Sequence, residues 1–169
     1  MKSSLTIVVV VVVVVAFILV SYSCKNQRNQ QANQMESIQK ELIFPKGEKI
    51  TNNNFVGTAW LEGLLDADSL NHIAVGSVVF EPGARSNWHT HPDGQILICL
   101  DGVGYYQEKG SPIRVVNKGE VVNIRPNVLH WHGASADTEF VQLAITSRLE
   151  GVTEWFGAVS DEEYLGLKR

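Results

Sequence analysis

The stretch Trp88-His89-Thr90-His91-Pro92-Asp93-Gly94-Gln95-Ile96-Leu97-Ile98-Cys99-Leu100 decides the fold. Its flanks are strand-like. Its centre, Pro92-Asp93-Gly94, is turn chemistry, because proline fixes φ and glycine reaches backbone angles that other residues avoid. Side chains two apart on a strand share a face, so His89 and His91 project together. The three residues before Gln95 allow a tight hairpin that lays Gln95 back beside them. His130-Trp131-His132 repeats the spacing further along, so two His-x-His pairs hold four of the chain's five histidines. Neutral imidazole is the commonest metal-ligating side chain, and two His on one strand can close on an ion if another strand brings a third ligand. The alternative is a set of hydrogen-bonded histidines lining a barrel wall.

Working outward, short apolar runs alternate with turn signals. Residues 73–80 precede Pro82-Gly83, 95–100 precede Asp101-Gly102, and 103–107 precede Lys109-Gly110. Residues 113–116, 121–124 and 139–146 follow, separated by Asn117-Lys118-Gly119 and by Pro126-Asn127. Many short strands at near-regular spacing predict an all-β sandwich or barrel. Only the end of the chain reads as helical: Ser160-Asp161-Glu162-Glu163 has the form of a capping box, and a further helical turn is expected around residues 153–156.

The chain's 169 residues suffice for one domain, and with a formal net charge of -4 and no basic run they give nucleic acid nothing to bind. Small molecules are the expected partners. Residues 1–23 read as a signal peptide, with Lys2, an apolar run from Leu5 to Val20, and then Ser21-Tyr22-Ser23 ahead of Cys24. A cysteine at that boundary resembles a bacterial lipoprotein signal, which implies an exported chain held at a membrane outside the cytoplasm through lipidated Cys24. An uncleaved N-terminal anchor is the alternative. Residues 24–41 read as a polar tether and 42–169 as the folded domain, its core about 55–147.

The spacing Gly83, His89, His91, Gln95, Gly102, followed by Gly119, Arg125, Asn127 and His130, resembles the two motifs of the cupin superfamily. That resemblance implies a single jelly-roll barrel with a metal site. Two positions depart from the common pattern: Gln95 stands where an acidic ligand is usual, and Arg125-Pro126-Asn127 replaces the usual Pro and Gly of the second motif. The turn survives, since Asn tolerates left-handed backbone angles. Phe80-Glu81-Pro82-Gly83-Ala84-Arg85, His130-Trp131-His132-Gly133-Ala134 and Asp161-Glu162-Glu163-Tyr164 narrow the likeness to small cupins related to carboxymuconolactone decarboxylase-associated proteins. This group includes manganese-dependent hydroxynitrile lyases. The resemblance implies His89, His91, Gln95 and His130 as ligands of one divalent ion, manganese expected, with iron, zinc, nickel or cobalt also compatible. It implies His132 as the group that handles a hydroxyl proton.

From the residues themselves, His132 faces the same cavity as His130 but stands about 6–7 Å further along the strand, which sets it outside the ligand set. It is read as a general base, against a barrel-wall histidine. Gln142 and Thr146 face inward if the last strand alternates. Cys99 is read as a small core residue and Arg85 as the member of a structural salt bridge. Trp88, of opposite parity to His89, is assigned to packing or to a subunit contact in a homodimer. His72 is read as a loop histidine. Three function classes remain open: a Lewis-acid, lyase- or decarboxylase-like enzyme acting on a small hydroxy or carbonyl compound; a metal-dependent dioxygenase; and a lipoprotein that binds metal or a small ligand without turnover.

Overall fold

The computed structural model describes residues 25–27 and 42–166, and the chain divides into two units, Met1–Leu42 and Ile43–Arg169. The signal segment, Cys24 and most of the tether lie outside the described residues; residues 25–27 are helical and exposed. Among the described residues no helix is long and apolar enough to cross a membrane.

The second unit is almost entirely β. Its strands are β1 (Glu48–Lys49), β2 (Phe55–Val56), β3 (Ala59–Leu65), β4 (Ile73–Phe80), β5 (Arg85–Ser86), β6 (His89–Thr90), β7 (Gln95–Glu108), β8 (Arg114–Asn117), β9 (Val121–Ile124), β10 (His130–Ala134), β11 (Phe140–Ser147) and β12 (Glu154–Trp155). They form a curled antiparallel sheet in the order β1-β3-β4-β11-β7-β10-β5-β2, a jelly-roll half-barrel in which β8 and β9 also pair with β7, and β12 pairs with β6.

One strand turns the corner between the two faces. Residues 95–107, expected as two strands with a turn at Asp101-Gly102, are a single fourteen-residue strand, β7. Its first half pairs with β11 and β9, its second half with β10 and β8. The break is a bulge: Val141 pairs with Asp101 and Gln142 with Cys99, so Leu100 is left over. An extra residue shifts the pleat by one, and the buried face moves from Gln95, Leu97 and Cys99 to Gly104 and Tyr106. Gly102 makes this possible, since at φ 76 a Cβ there would lie 1.7 Å from the Glu139 carbonyl oxygen.

The main core lies between the faces, around Phe80, Phe140, Leu97 and Ile124. A second cluster of Trp88, Trp131, Val159 and Tyr164 packs outside the barrel under the C-terminal helix, Asp161–Tyr164, whose Ser160 cap closes with Glu163 as the sequence indicates. Trp88 therefore points away from the lumen. Arg85 fixes the segment leading into the helix. It donates to the Val159 carbonyl at 3.1 and 2.8 Å and pairs with Asp161 at 2.6 Å. The Asp161 side chain is 86% exposed, so solvent screens the ion pair and the bonds to the buried carbonyl matter more. Residues 154–155, expected in a helical turn, instead form β12, which pairs with the histidine strand β6. The competing influence is tertiary: β6 has an open edge, and Trp155 lies against the His89 ring at 4.8 Å.

Candidate metal centre

The register builds the site. β10 lies between β6 and β7, and His130 is paired directly with His89 across β6, bringing their rings to 4.1 Å. The hairpin before β7 closes with Gly94 N–H donating to the His91 carbonyl, which also accepts from Asn127 N–H. That second bond ties the turn to the loop where Asn127 takes φ 59, the left-handed angle expected for it. The pairing of Gln95 with Thr146 on β11 then places the Gln95 amide in the lumen, its Nε2 donating to Thr146 Oγ1 at 3.2 Å.

All five predicted residues converge. His89, His91, His130, His132 and Gln95 are each at most 7% exposed. The His91 ring is 5.1 Å from that of His89 and 5.7 Å from that of His130. Ligand atoms of His89, His130 and His132 all lie within 4.8 Å of one another. Distance alone therefore does not set His132 apart from the ligands, and its hydrogen bonding must.

Burial keeps these histidines uncharged, and repulsion from the neighbouring rings adds to it for His89, His91 and His132, whereas at His130 the Val128 carbonyl and the Glu108 charge oppose it. His89 and His132 are held well below the ordinary imidazole range, His91 is pushed down to about 3, and His130 to about 4. The positive charge of Arg148 adds to the effect on His91. The neutral form is the one that ligates a metal.

Hydrogen bonds fix which nitrogen is available. His89 Nδ1 donates to the Asn87 carbonyl at 2.9 Å and His130 Nδ1 to the Val128 carbonyl at 2.8 Å, leaving both Nε2 lone pairs bare. His130 Nε2 then faces Gln95 Oε1 at 3.4 Å. Neither atom has a proton to give, because the Gln95 amide turns its NH₂ to Thr146 and a neutral His130 carries its hydrogen on Nδ1. His91 Nε2 is buried without a hydrogen-bond partner among the described residues. Two facing acceptors and an orphaned nitrogen in a buried cluster are reconciled by a cation, so these residues fit a divalent ion.

His132 differs. Its Nδ1 accepts from Gln142 Nε2 at 3.1 Å, which puts the imidazole hydrogen on Nε2, while Gln142 Oε1 is left without a partner. Both Gln142 and Thr146 are buried, at 0% and 4% exposed, on the inward face expected of them.

The histidines open into a cavity of about 280 Å³ whose walls include Phe55, Leu61, Val78, Phe80 and Trp155, with Arg148 at its edge. A wider groove of about 520 Å³, past Trp88 and Lys109, holds no member of the cluster. Sequence reading missed Phe55, Arg148, Thr153 and Trp155 as cavity residues. The signal for the last two was obscured by reading 153–156 as helix, and nothing local marks the others. Cys99 is a free, buried thiol raised to about 11 by burial and the nearby Asp101 charge, a core residue as read.

Residues 76–146 match the family model described as "Cupin domain". An (R)-mandelonitrile lyase from Granulicella tundricola is 43% identical over 111 residues, covering 65% of this chain and 85% of that protein. A crystallised cupin-like protein from Thermotoga maritima is 47% identical over 75% of this chain and 96% of its own, with a TM-score of 0.72. A predicted oxalate decarboxylase of the same organism, at 20% identity, shares the fold with a TM-score of 0.56 over 64% of this chain and 100% of that one.

Proposed function

Because this chain belongs to the cupin superfamily, we propose that it is a lyase-like metalloenzyme. His89, His91, Gln95 and His130 would hold one divalent ion, manganese in our reading, for chemistry on a small hydroxy or carbonyl compound. The observation that carries this is the pair of facing acceptors, Gln95 Oε1 and His130 Nε2, inside a cluster of uncharged histidines. The lyase relative supports the reaction class. When bound, the ion supplies Lewis acidity toward a substrate oxygen; with four neutral ligands, nothing in the ligand set offsets its charge.

The remaining work falls to the chain. Phe55, Phe80 and Trp155 exclude water and pack an apolar substituent. Among the described residues no carboxylate joins the cluster, so His132 is the group that moves the substrate's hydroxyl proton. A half-turn of the Gln142 amide would present Oε1 to Nδ1–H and bare Nε2 as the base, so one buried partner serves either tautomer. Cleavage of a cyanohydrin would then break the carbon–cyanide bond, send the electron pair out with cyanide, and leave the proton on His132. The N-terminal residues carry our reading that the domain is exported and membrane-held through lipidated Cys24.

The test is turnover of mandelonitrile by the manganese-loaded chain, followed as benzaldehyde release. His132→Ala should keep its metal and lose turnover by ~10²–10⁴-fold, as expected for a removed proton-transfer group. Loss of metal along with activity would make His132 a ligand. Absence of turnover of mandelonitrile and of 2-hydroxy and 2-oxo acids by every divalent-metal form would overturn the enzyme reading, and oxygen-dependent substrate consumption would replace it with a dioxygenase.

A further inference from the structure

Arg148 lies at the cavity edge with most of its donors unused. It is the only Lys or Arg among the residues lining the cavity, and among the described residues it forms no ion pair. Among the described residues its guanidinium makes one hydrogen bond, Nη1 to Thr153 Oγ1 at 2.9 Å. Its backbone N–H is tied to the His72 carbonyl at 2.7 Å, so the side chain starts from a fixed point. Thr153 Oγ1 in turn lies 3.2 Å from His91 Nδ1, which places the guanidinium one side chain away from the cluster. A half-buried arginine that pairs with no acid among the described residues, in a cavity whose one acidic lining residue, Asp66, is exposed and makes no ion pair with it, lacks an anion.

We propose that Arg148 binds the carboxylate of the substrate, so that the site takes a small 2-hydroxy or 2-oxo monocarboxylate with an apolar side group. This rests on the function proposed above. Guanidinium and carboxylate match as a planar bidentate pair. A monoanion fits better than a phosphate dianion, because the cavity offers one cationic side chain and its lining also carries the carboxylate of Asp66, which opposes rather than offsets a second negative charge. In this placement the carboxylate sits at Arg148, the adjacent oxygen reaches the histidines, and the apolar group lies against Phe55 and Trp155, whose rings are 5.7 Å apart.

The experiment measures binding of mandelate and of neutral mandelamide to the metal-loaded full chain by calorimetry, with metal content determined alongside. Arg148→Gln should weaken mandelate roughly 10- to 100-fold, the loss expected of a charge-assisted pair, and leave mandelamide within about twofold. Arg148→Lys should recover part of the loss. Thr153→Val, which cuts the link to His91 and keeps the charge, should retain the preference for mandelate. Equal weakening of both ligands, or loss of metal in Arg148→Gln, would make Arg148 a support for His91 and overturn the proposal. Unchanged mandelate affinity would do the same while leaving the metal site standing. Binding of neither ligand to the wild-type chain would remove the small-molecule reading and this assignment with it.

Discussion

Acidifying the metal-free protein from about pH 7.5 to about pH 5 should remove roughly 4 kcal/mol of folding stability through His91 and His130 alone. Both are held neutral in the fold, at about 3 and about 4, whereas an unfolded chain protonates its histidines near the ordinary value of about 6.5. The unfolded state therefore binds more protons between those limits. Stability is fully present above about pH 6.5 and falls as the pH drops toward 4 and then 3. At about pH 5 each histidine is almost fully protonated when unfolded and almost bare when folded, which is worth about 2 kcal/mol apiece. His89 and His132 are shifted in the same direction and add to the loss. Against a usual total of about 5–15 kcal/mol, this is a large fraction. Urea denaturation after chelation, at the two pH values, measures it, and His130→Asn should lose about a proton's share of the pH slope. A stability that changed by less than about 1 kcal/mol across this range would refute the neutral cluster, whichever metal it holds.

Two further predictions follow from single residues. Gln95→Glu should bind a divalent ion at least as tightly, because it adds a charge to the ligand set, yet turn over substrate more slowly by offsetting the ion's field; metal titration and steady-state rates check both, and a faster enzyme would count against the reason given for a neutral amide. Gly102→Ala should destabilise the domain by about 2–4 kcal/mol without changing metal affinity in the folded fraction, since the new Cβ meets the Glu139 carbonyl, and neither residue belongs to the histidine cluster or lines its cavity; thermal unfolding reads the first effect and metal titration the second.

The histidine constellation was legible because its geometry is local. Parity puts His89 beside His91 and His130 beside His132, and a Pro-Asp-Gly turn brings Gln95 back within a few residues. The corner of the barrel was not legible. Asp101-Gly102 carries the same turn chemistry whether the chain reverses or bulges, and only the partners waiting on β10 and β11 decide for the bulge. Residues 153–156 failed for a related reason. Their sequence has no strong period, and pairing with the open edge of β6 outweighs a weak helical preference. On a straight strand His132 would stand about 6–7 Å beyond His130. Side chains lean, and in the structure a ring nitrogen of His132 comes within 4.8 Å of those of His89 and His130, although its ring centre is 5.2 and 6.0 Å from theirs. What separates it is Gln142, a residue ten positions away in sequence, whose hydrogen bond no spacing rule could have supplied.

The central claim is that one divalent ion is held by the facing acceptors of this cluster. Metal content per chain, measured by elemental analysis after manganese loading and desalting, tests it most directly when the wild type is compared with His130→Ala and His91→Ala. The account predicts close to one ion per chain for the wild type and almost none in either variant, with circular dichroism showing the β-fold intact. A folded His130→Ala protein that still held one ion would contradict it.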